Sequence, residues 1–379
     1  DGIRHVERSR GLGDVYKRQE KQSNIRQHIR LKANDLYKFM RNLMIAAGAN
    51  IECAEAAAQI HLEADLRGVN LQGADYLPYT IKNLERGIID GMAKPSVVKE
   101  LGATALIDGN GGLGQLAALK AVEIVSAKAR KFGSATVSVC NSTDIFMIGA
   151  YAERISQMGL IGIVMTSGPP LVHPYGGVEK MLSTNPVAFG MPVEGKTPFV
   201  FDMATSALSS SRIRQAAYFK ESVPPGTGVD YNGNPTTDAS LIRAGAIAPL
   251  AEHKGFGLAL CIAMLCGPLS GSGIGPELAG WQGEGQTKTQ GHFFYALDPE
   301  CFTSSKEFAN RSQWYIETIK KSKKAENIEE IRIPGERAEA LRKKQINDGV
   351  LILEETWRVL SEQATKYKVD VPPVISTLS

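Results

Sequence analysis

Near residue 98 the apolar pattern of this chain changes period, and no other feature constrains its fold as strongly. Before that point apolar residues recur at three- and four-residue intervals, as on one face of a helix. Leu36, Phe39, Met40 and Leu43 form the first such face, with Asn34 placed as its N-cap and Gly48 as its stop. An Ala-rich helix is expected over 51–67, ending at Gly68, and a third carries Leu77, Ile81 and Leu84 and ends at Gly87. Beyond residue 98 short β-branched runs take over, at 105–108, 135–139, 160–166 and 199–202. A helix expected over 115–131 and several glycine-rich turns separate them. Strands broken by helices imply an α/β or α+β domain.

The second half carries weaker signals. Residues 255–267 read as a small-residue helix, apolar nearly all round and therefore buried in the core or against a partner. A long Gly/Gln-rich loop is expected over 271–291 and a strand over 293–297. Two charged amphipathic helices follow, at 306–320 and 354–367, with Pro334-Gly335 breaking the chain between them. No internal repeat is visible.

A chain of 379 residues is longer than one compact domain usually is, so two domains or one large unit is expected. Apolar residues at 43% and charged residues at 22% exclude a disordered or fibrous chain. Lys plus Arg is 43 against 40 Asp plus Glu, a net +3 that offers no field for nucleic acid or anionic lipid. The longest apolar run, 258–269, contains Gly267 and Pro268 and is too short to span a bilayer, so no membrane is expected. The five cysteines are odd in number and contain no Cys-x-x-Cys, which supports neither a disulfide framework nor a thiolate zinc site. A reducing cytoplasm and no metal are expected. Residues 1–19 lack an initiator Met, an apolar core and periodicity, and 11–19 resembles translated adaptor read-through. They are expected to be a non-native leader; it carries five basic and three acidic residues, leaving +1 without it.

The loudest motif is Gly109-Asn-Gly-Gly-Leu-Gly114, a G-x-G-x-x-G between a strand-like segment and a helix. That is the setting of a dinucleotide fingerprint, in which glycines let a pyrophosphate reach a helix N-terminus. The acidic residue needed about 20 positions later is missing; Asp144 comes about thirty residues after Gly114. In a chain with 38 glycines, a structural glycine turn is the competing reading.

Other strings are individually turns or caps: Ala64-Asp-Leu-Arg-Gly68, Asn141-Ser142, Tyr175-Gly-Gly177, Ser183-Thr-Asn-Pro186, Phe201-Asp-Met-Ala-Thr-Ser206, His253-Lys-Gly-Phe-Gly257, Gly291-His-Phe-Phe and Pro334-Gly-Glu-Arg337. In this order, over about residues 30 to 365, they resemble the malate/L-lactate dehydrogenase family, with its ureidoglycolate, sulfolactate, diketogulonate and cyclic-imine enzymes. The resemblance implies an α+β fold: a non-Rossmann NAD(P)-binding domain over 98–297, flanked by a helical domain built from both chain ends, 20–97 plus 298–379. It implies a homodimer acting on a small molecule, and makes the G-x-G-x-x-G a turn into the domain's first helix. By the same resemblance Asp202, Met203, Ala204, Thr205, Ser206, His253, Lys254, Gly335, Glu336 and Arg337 contact NAD or NADP. Arg67 would hold a substrate carboxylate in a two-bonded fork, and Thr166 and Asn185 lie on the substrate side. Arg212 stands where the family often has Lys.

The catalytic positions depart from the family. After Ala-Asp-Leu-Arg-Gly it reads on to Ser-His-Gly, with His as general acid; here the stretch is Val69-Asn-Leu-Gln-Gly73. Its Asn-Ser-Asn-His-Phe-Gly string is replaced by Asn141-Ser-Thr-Asp-Ile-Phe-Met147. Gln72 donates a hydrogen bond but cannot titrate, whereas a desolvated Asp144 could act as an acid. These two are the catalytic candidates, with His61 and His173 as other possible proton sources. Leu71, Ile145, Phe146 and Met147 predict an apolar pocket. Two functions remain open: an oxidoreductase on a 2-oxo or 2-hydroxy acid or cyclic imine, and a non-redox lyase or binding protein on the same scaffold.

Overall fold

The computed structural model describes residues 27–195, 197–278 and 289–378, so the leader expected over 1–19 lies outside the described residues. After a short strand, β1 (His28–Leu31), come three helices: α1 (Ala33–Ala46), α2 (Ile51–Leu66) and α3 (Leu77–Glu85). The first buries Leu36, Phe39, Met40 and Leu43, the face that the spacing predicts. It starts earlier than expected, with Lys32 at the N-cap, so Asn34 falls inside its first turn. Asn50 caps α2, its side chain accepting from Cys53 N–H at 2.9 Å.

Next come β2 (Ser96–Leu101), β3 (Thr104–Asp108), α4 (Gly114–Phe132), β4 (Ser134–Ser142), α5 (Gly149–Gln157), β5 (Ile161–Thr166), β6 (Val187–Met191) and β7 (Phe199–Met203). A smaller unit follows, with α6 (Ser210–Tyr218), β8 (Gly228–Val229), β9 (Pro235–Thr236), α7 (Ala239–Ala244) and β10 (Ala246–Ile247). The chain continues through α8 (His253–Cys266) to β11 (Gln290–Leu297), α9 (Ser305–Lys321), α10 (Glu336–Asp348), β12 (Val350–Leu353), α11 (Glu354–Tyr367) and β13 (Ser376–Leu378).

Among the described residues three sheets organise these elements. The largest has seven strands in the order β2-β3-β4-β11-β5-β6-β7. Only β3 and β4 pair in parallel; every other neighbouring pair in it is antiparallel. The fold is therefore mixed α/β. One sheet face packs Val137, Val164 and Phe294 against Val122 and Val125 of α4 and Tyr151 of α5. The other meets Ile262 and Cys266 of α8. The two chain ends come together as the antiparallel sheet β12-β1-β13, and Val350, Ile352, Trp357 and Leu360 share a core with α1 to α3.

Two expectations are refined. Within a single chain helix α8 is only partly buried, with Leu258, Leu260 and Met264 39%, 39% and 47% exposed, so the core alone does not cover it. Pro334-Gly335 does not merely interrupt the chain; Gly335 is the N-cap of α10, a helix so polar that no apolar stripe announces it. Of the loop expected over 271–291, residues 279–288 lie outside the described residues.

The glycine motif is a packing device. A Cβ on Gly114 would sit 2.3 Å from the Thr143 carbonyl oxygen, and one on Gly109 would sit 2.9 Å from that of Asn141. Gly111 has φ +70°. Its sequence therefore serves close approach of the β3–α4 turn to the 141–144 loop, and none of its glycines lines the cavity described next.

Candidate active site

A cavity of about 990 Å³ opens between the seven-stranded sheet, the α2–α3 connection and the α6–α7 unit. Its volume falls in the range of small-molecule sites. Among the residues expected to act, Arg67, Gln72, Asp144, Thr166, Asp202, Met203, Ala204 and Gly335 line it.

Asp144 follows β4 and is partly buried on the cavity wall. One carboxylate oxygen accepts from Phe146 N–H at 2.8 Å. Loss of surrounding water raises its pKa above the ordinary carboxylate range, against the opposing pull of the Phe146 and Ile145 amides. Phe146, held at φ +60°, packs on His61 and Tyr76 with ring centroids 4.6 Å away in each case.

His61 is fully buried and outside the cavity lining. Its Nδ1 lies 2.7 Å from the Gln72 carbonyl oxygen, which can only accept, so Nδ1 carries the hydrogen. Burial lowers its pKa to about 4, leaving it neutral at pH 7. It positions Gln72 and has no proton to give. His173 bonds to the Pro174 carbonyl through Nδ1 and also lies off the cavity lining.

Thr166 is placed by His292, a residue of the Gly291-His-Phe-Phe string for which the sequence implies no site role. On the central strand β11, His292 stands opposite Thr166 and is fully buried. Its Nε2 is 3.1 Å from the Thr143 carbonyl oxygen and its Nδ1 is 2.7 Å from Thr166 Oγ1. The carbonyl fixes the hydrogen on Nε2, so the Thr166 hydroxyl donates to Nδ1. Thr166 therefore presents lone pairs, not its proton, to the cavity. Burial lowers the His292 pKa to about 3 and keeps this arrangement neutral.

Arg67 is already occupied. Its guanidinium pairs with Glu63 and Glu153, and Glu63 also pairs with Arg342 at 3.1 Å. Arg214 was not singled out from sequence, yet it also lines the cavity. It lies 143 residues from Leu71, whose carbonyl accepts from it at 3.1 Å, so no local pattern could link them.

The remaining expected residues separate. Asp202 accepts from Gly149 N–H at 2.8 Å on the cavity wall. Thr205, Ser206 and Asn185 are buried and off the lining. Thr205 Oγ1 donates to the Thr184 and Asn185 carbonyls at 3.0 and 3.1 Å, and Ser206 Oγ donates to the Leu208 carbonyl. Asn185 donates to the Ala259 carbonyl at 2.8 Å, tying the sheet to α8. His253 and Lys254 begin α8, exposed and off the lining, with His253 5.9 Å from the Tyr175 ring. Gly335 approaches β7 so closely that a Cβ would lie 2.9 Å from the Val200 carbonyl oxygen. Glu336 pairs with Lys320 at 2.7 Å, and neither it nor Arg337 lines the cavity.

A dinucleotide fits these surroundings. Ser209, Ser210 and Ser211 at the start of α6 face the cavity, where a helix N-terminus and small hydroxylic side chains suit phosphate oxygens. Lys180 and Arg243 add positive charge to the lining.

Known proteins are similar to this chain in sequence and in fold. The malate/L-lactate dehydrogenase family model matches residues 31–361. The L-sulfolactate dehydrogenase of Methanocaldococcus jannaschii is 34% identical over 345 residues, 91% of this chain and 99% of that protein. A Delta(1)-pyrroline-2-carboxylate/Delta(1)-piperideine-2-carboxylate reductase of Pseudomonas putida is 30% identical over 330 residues, 85% of this chain and 94% of that protein. The malate dehydrogenase structure from Entamoeba histolytica superposes with a TM-score of 0.88 at 26% identity, covering 91% of this chain and all of that one. On the matched sequence and the shared fold together, the chain belongs to the malate/L-lactate dehydrogenase family.

Proposed function

We propose that this protein is an NAD(P)-dependent oxidoreductase acting on a small 2-oxo or 2-hydroxy acid or a cyclic imine. One observation carries the reading: a single cavity brings Asp144, Gln72 and Thr166 together with the Asp202–Ala204 segment and the serine-lined start of α6. Relatives named for sulfolactate, malate and cyclic-imine chemistry support that substrate range. The cofactor, when bound, supplies or accepts the hydride. Asp144 delivers the proton to the carbonyl oxygen or imine nitrogen and takes it back in the reverse direction. Gln72 donates a hydrogen bond to the same atom, and Thr166 accepts one from the ligand. The apolar wall of Leu71, Phe146 and Met147 excludes water and strengthens these contacts.

This reading carries finer parts with it. The cofactor lies on a non-Rossmann domain spanning 98–297, beside a helical domain drawn from 20–97 and 298–379. The enzyme is cytoplasmic, in keeping with five free cysteines, and works as a homodimer. Among the described residues no helix is long and apolar enough to cross a membrane. Titrating the protein with NADH and NADPH, followed by fluorescence, tests the reading. Binding of at least one is expected, with turnover on a panel of 2-oxo acids and cyclic imines. Binding of neither at millimolar concentration removes it, and binding without any turnover favours a non-redox activity.

A further inference from the structure

A 2-oxo acid brings a carboxylate into a largely apolar corner, where an unmatched negative charge is strongly disfavoured. Several cations line the cavity, and the structure separates them. Arg67 belongs to a closed quartet with Glu63, Glu153 and Arg342, two cations against two anions. A third carboxylate there would have to displace one already in place. Lys180 donates to the Arg243 carbonyl at 2.7 Å, which puts it in the part of the cavity formed by the α7 end. Lys82 on α3 and Arg86 at its C-cap are exposed, where water screens them.

Arg214 differs from all of these. Its guanidinium carbon lies 5.7 Å from the Tyr76 ring centroid and 5.9 Å from that of Tyr79, and the two rings are 5.5 Å apart. Nη2 donates to the Leu71 carbonyl, which puts the cation beside Gln72. Tyr76 in turn packs on Phe146, two residues from Asp144. Among the described residues no carboxylate lies within ion-pair distance of Arg214. Asp75 feels its charge from farther away, while its own carboxylate accepts from Thr356 Oγ1 at 2.5 Å. A guanidinium has five N–H donors in one plane, and among the described residues the Leu71 carbonyl is the one hydrogen-bond acceptor that Arg214 has. Two aromatic rings partly cover the half-buried guanidinium and restrict its orientation, which favours a ligand bound at its remaining edge.

We propose that Arg214, steadied by Tyr76 and Tyr79 and by the Leu71 carbonyl, holds the substrate carboxylate, and that Arg67 serves the fold. The proposal rests on the 2-oxo acid reading. It explains how a carboxylate is held beside Gln72 and Asp144 although the expected arginine is engaged elsewhere. Because α6 and the 70–72 turn belong to different parts of the fold, the Arg214–Leu71 bond also ties the two sides of the cavity together at that point.

The test compares pyruvate with its neutral methyl ester, in wild type and in Arg214→Met, Arg214→Lys and Tyr79→Leu, with NADH and NADPH affinity measured alongside. Wild type should prefer the carboxylate. Arg214→Met should erase that preference, raising KM for pyruvate by about 10²-fold with cofactor affinity unchanged. Arg214→Lys should recover only part, since an ammonium cannot form the two-bonded fork. Tyr79→Leu should raise KM several-fold at unchanged kcat. If the chain turns over neither compound, binding of pyruvate followed by calorimetry in the same variants still decides the role of Arg214. The proposal is overturned if wild type binds no carboxylate, or if Arg214→Met retains its binding and its preference over the ester. Loss of cofactor affinity in wild type would count against the oxidoreductase reading and not against Arg214.

Discussion

Asp144 is the residue on which the proposed chemistry turns. Its acid form is favoured because the cavity wall takes water away from the carboxylate, while two backbone amides only partly offset that loss. In the reductive direction the protonated form acts, so kcat should fall as pH rises through the raised pKa. In the oxidative direction the ionised form acts, so kcat should rise through the same pH. Asp144→Asn keeps the shape and removes titration; kcat should drop by about 10²- to 10⁴-fold, and the limb belonging to Asp144 should vanish from both profiles. Unchanged profiles in the variant would exclude Asp144 as the acid. The buried histidines cannot replace it, because His61 and His292 stay neutral at pH 7 and each spends its ring hydrogen on a carbonyl.

Among the elements, the β3–α4 turn separates two explanations for the same six residues. If Gly109 to Gly114 cradled a pyrophosphate, substitution there would weaken the cofactor. The structure instead presses Gly114 and Gly109 against the loop that carries Asp144. Gly111 makes the cleanest test, since a Cβ there meets nothing within 4 Å and only its φ of +70° resists substitution. Gly111→Ala should cost about 1 kcal/mol of stability, seen as a lowered melting temperature, with cofactor affinity unchanged. A tenfold weaker cofactor at an unchanged melting temperature would restore the fingerprint reading.

For the whole molecule, the open question is what covers α8. A helix with Leu258, Leu260 and Met264 on its outer side leaves apolar surface in water, and Leu269 just beyond it is 58% exposed. A second copy of the chain is the expected cover, in line with the proposed homodimer. Sedimentation at micromolar concentration should show a dimer, and the double variant Leu260→Glu, Met264→Glu should shift it to monomer by placing charges in an apolar contact. A wild-type monomer, or a dimer indifferent to both changes, would move the interface elsewhere.

How much was legible in the sequence depended on distance along the chain. The helical face of α1, the span of α2 and the stop at Gly87 follow from spacings of three to seven residues, and the structure keeps them. The strands at 105–108, 135–139 and 160–166 were equally legible, because β-branched runs bury side chains whatever their partners. The polar α10 was not, because its helix rests on long-range contacts such as Gln345 donating to the Asp65 and Leu66 carbonyls. The motifs also located the family and much of the cavity lining, from Gln72 to Asp202. Only the tertiary structure decided the state of each side chain there. Arg67 is taken by Glu153, 86 residues away, and Arg214 reaches Leu71 across 143 residues. His292 orients Thr166 across 126 residues. A sequence records which charges and donors are present, whereas pairing and desolvation are set by the neighbours that folding brings within about 4 Å, and those determine which groups remain able to act.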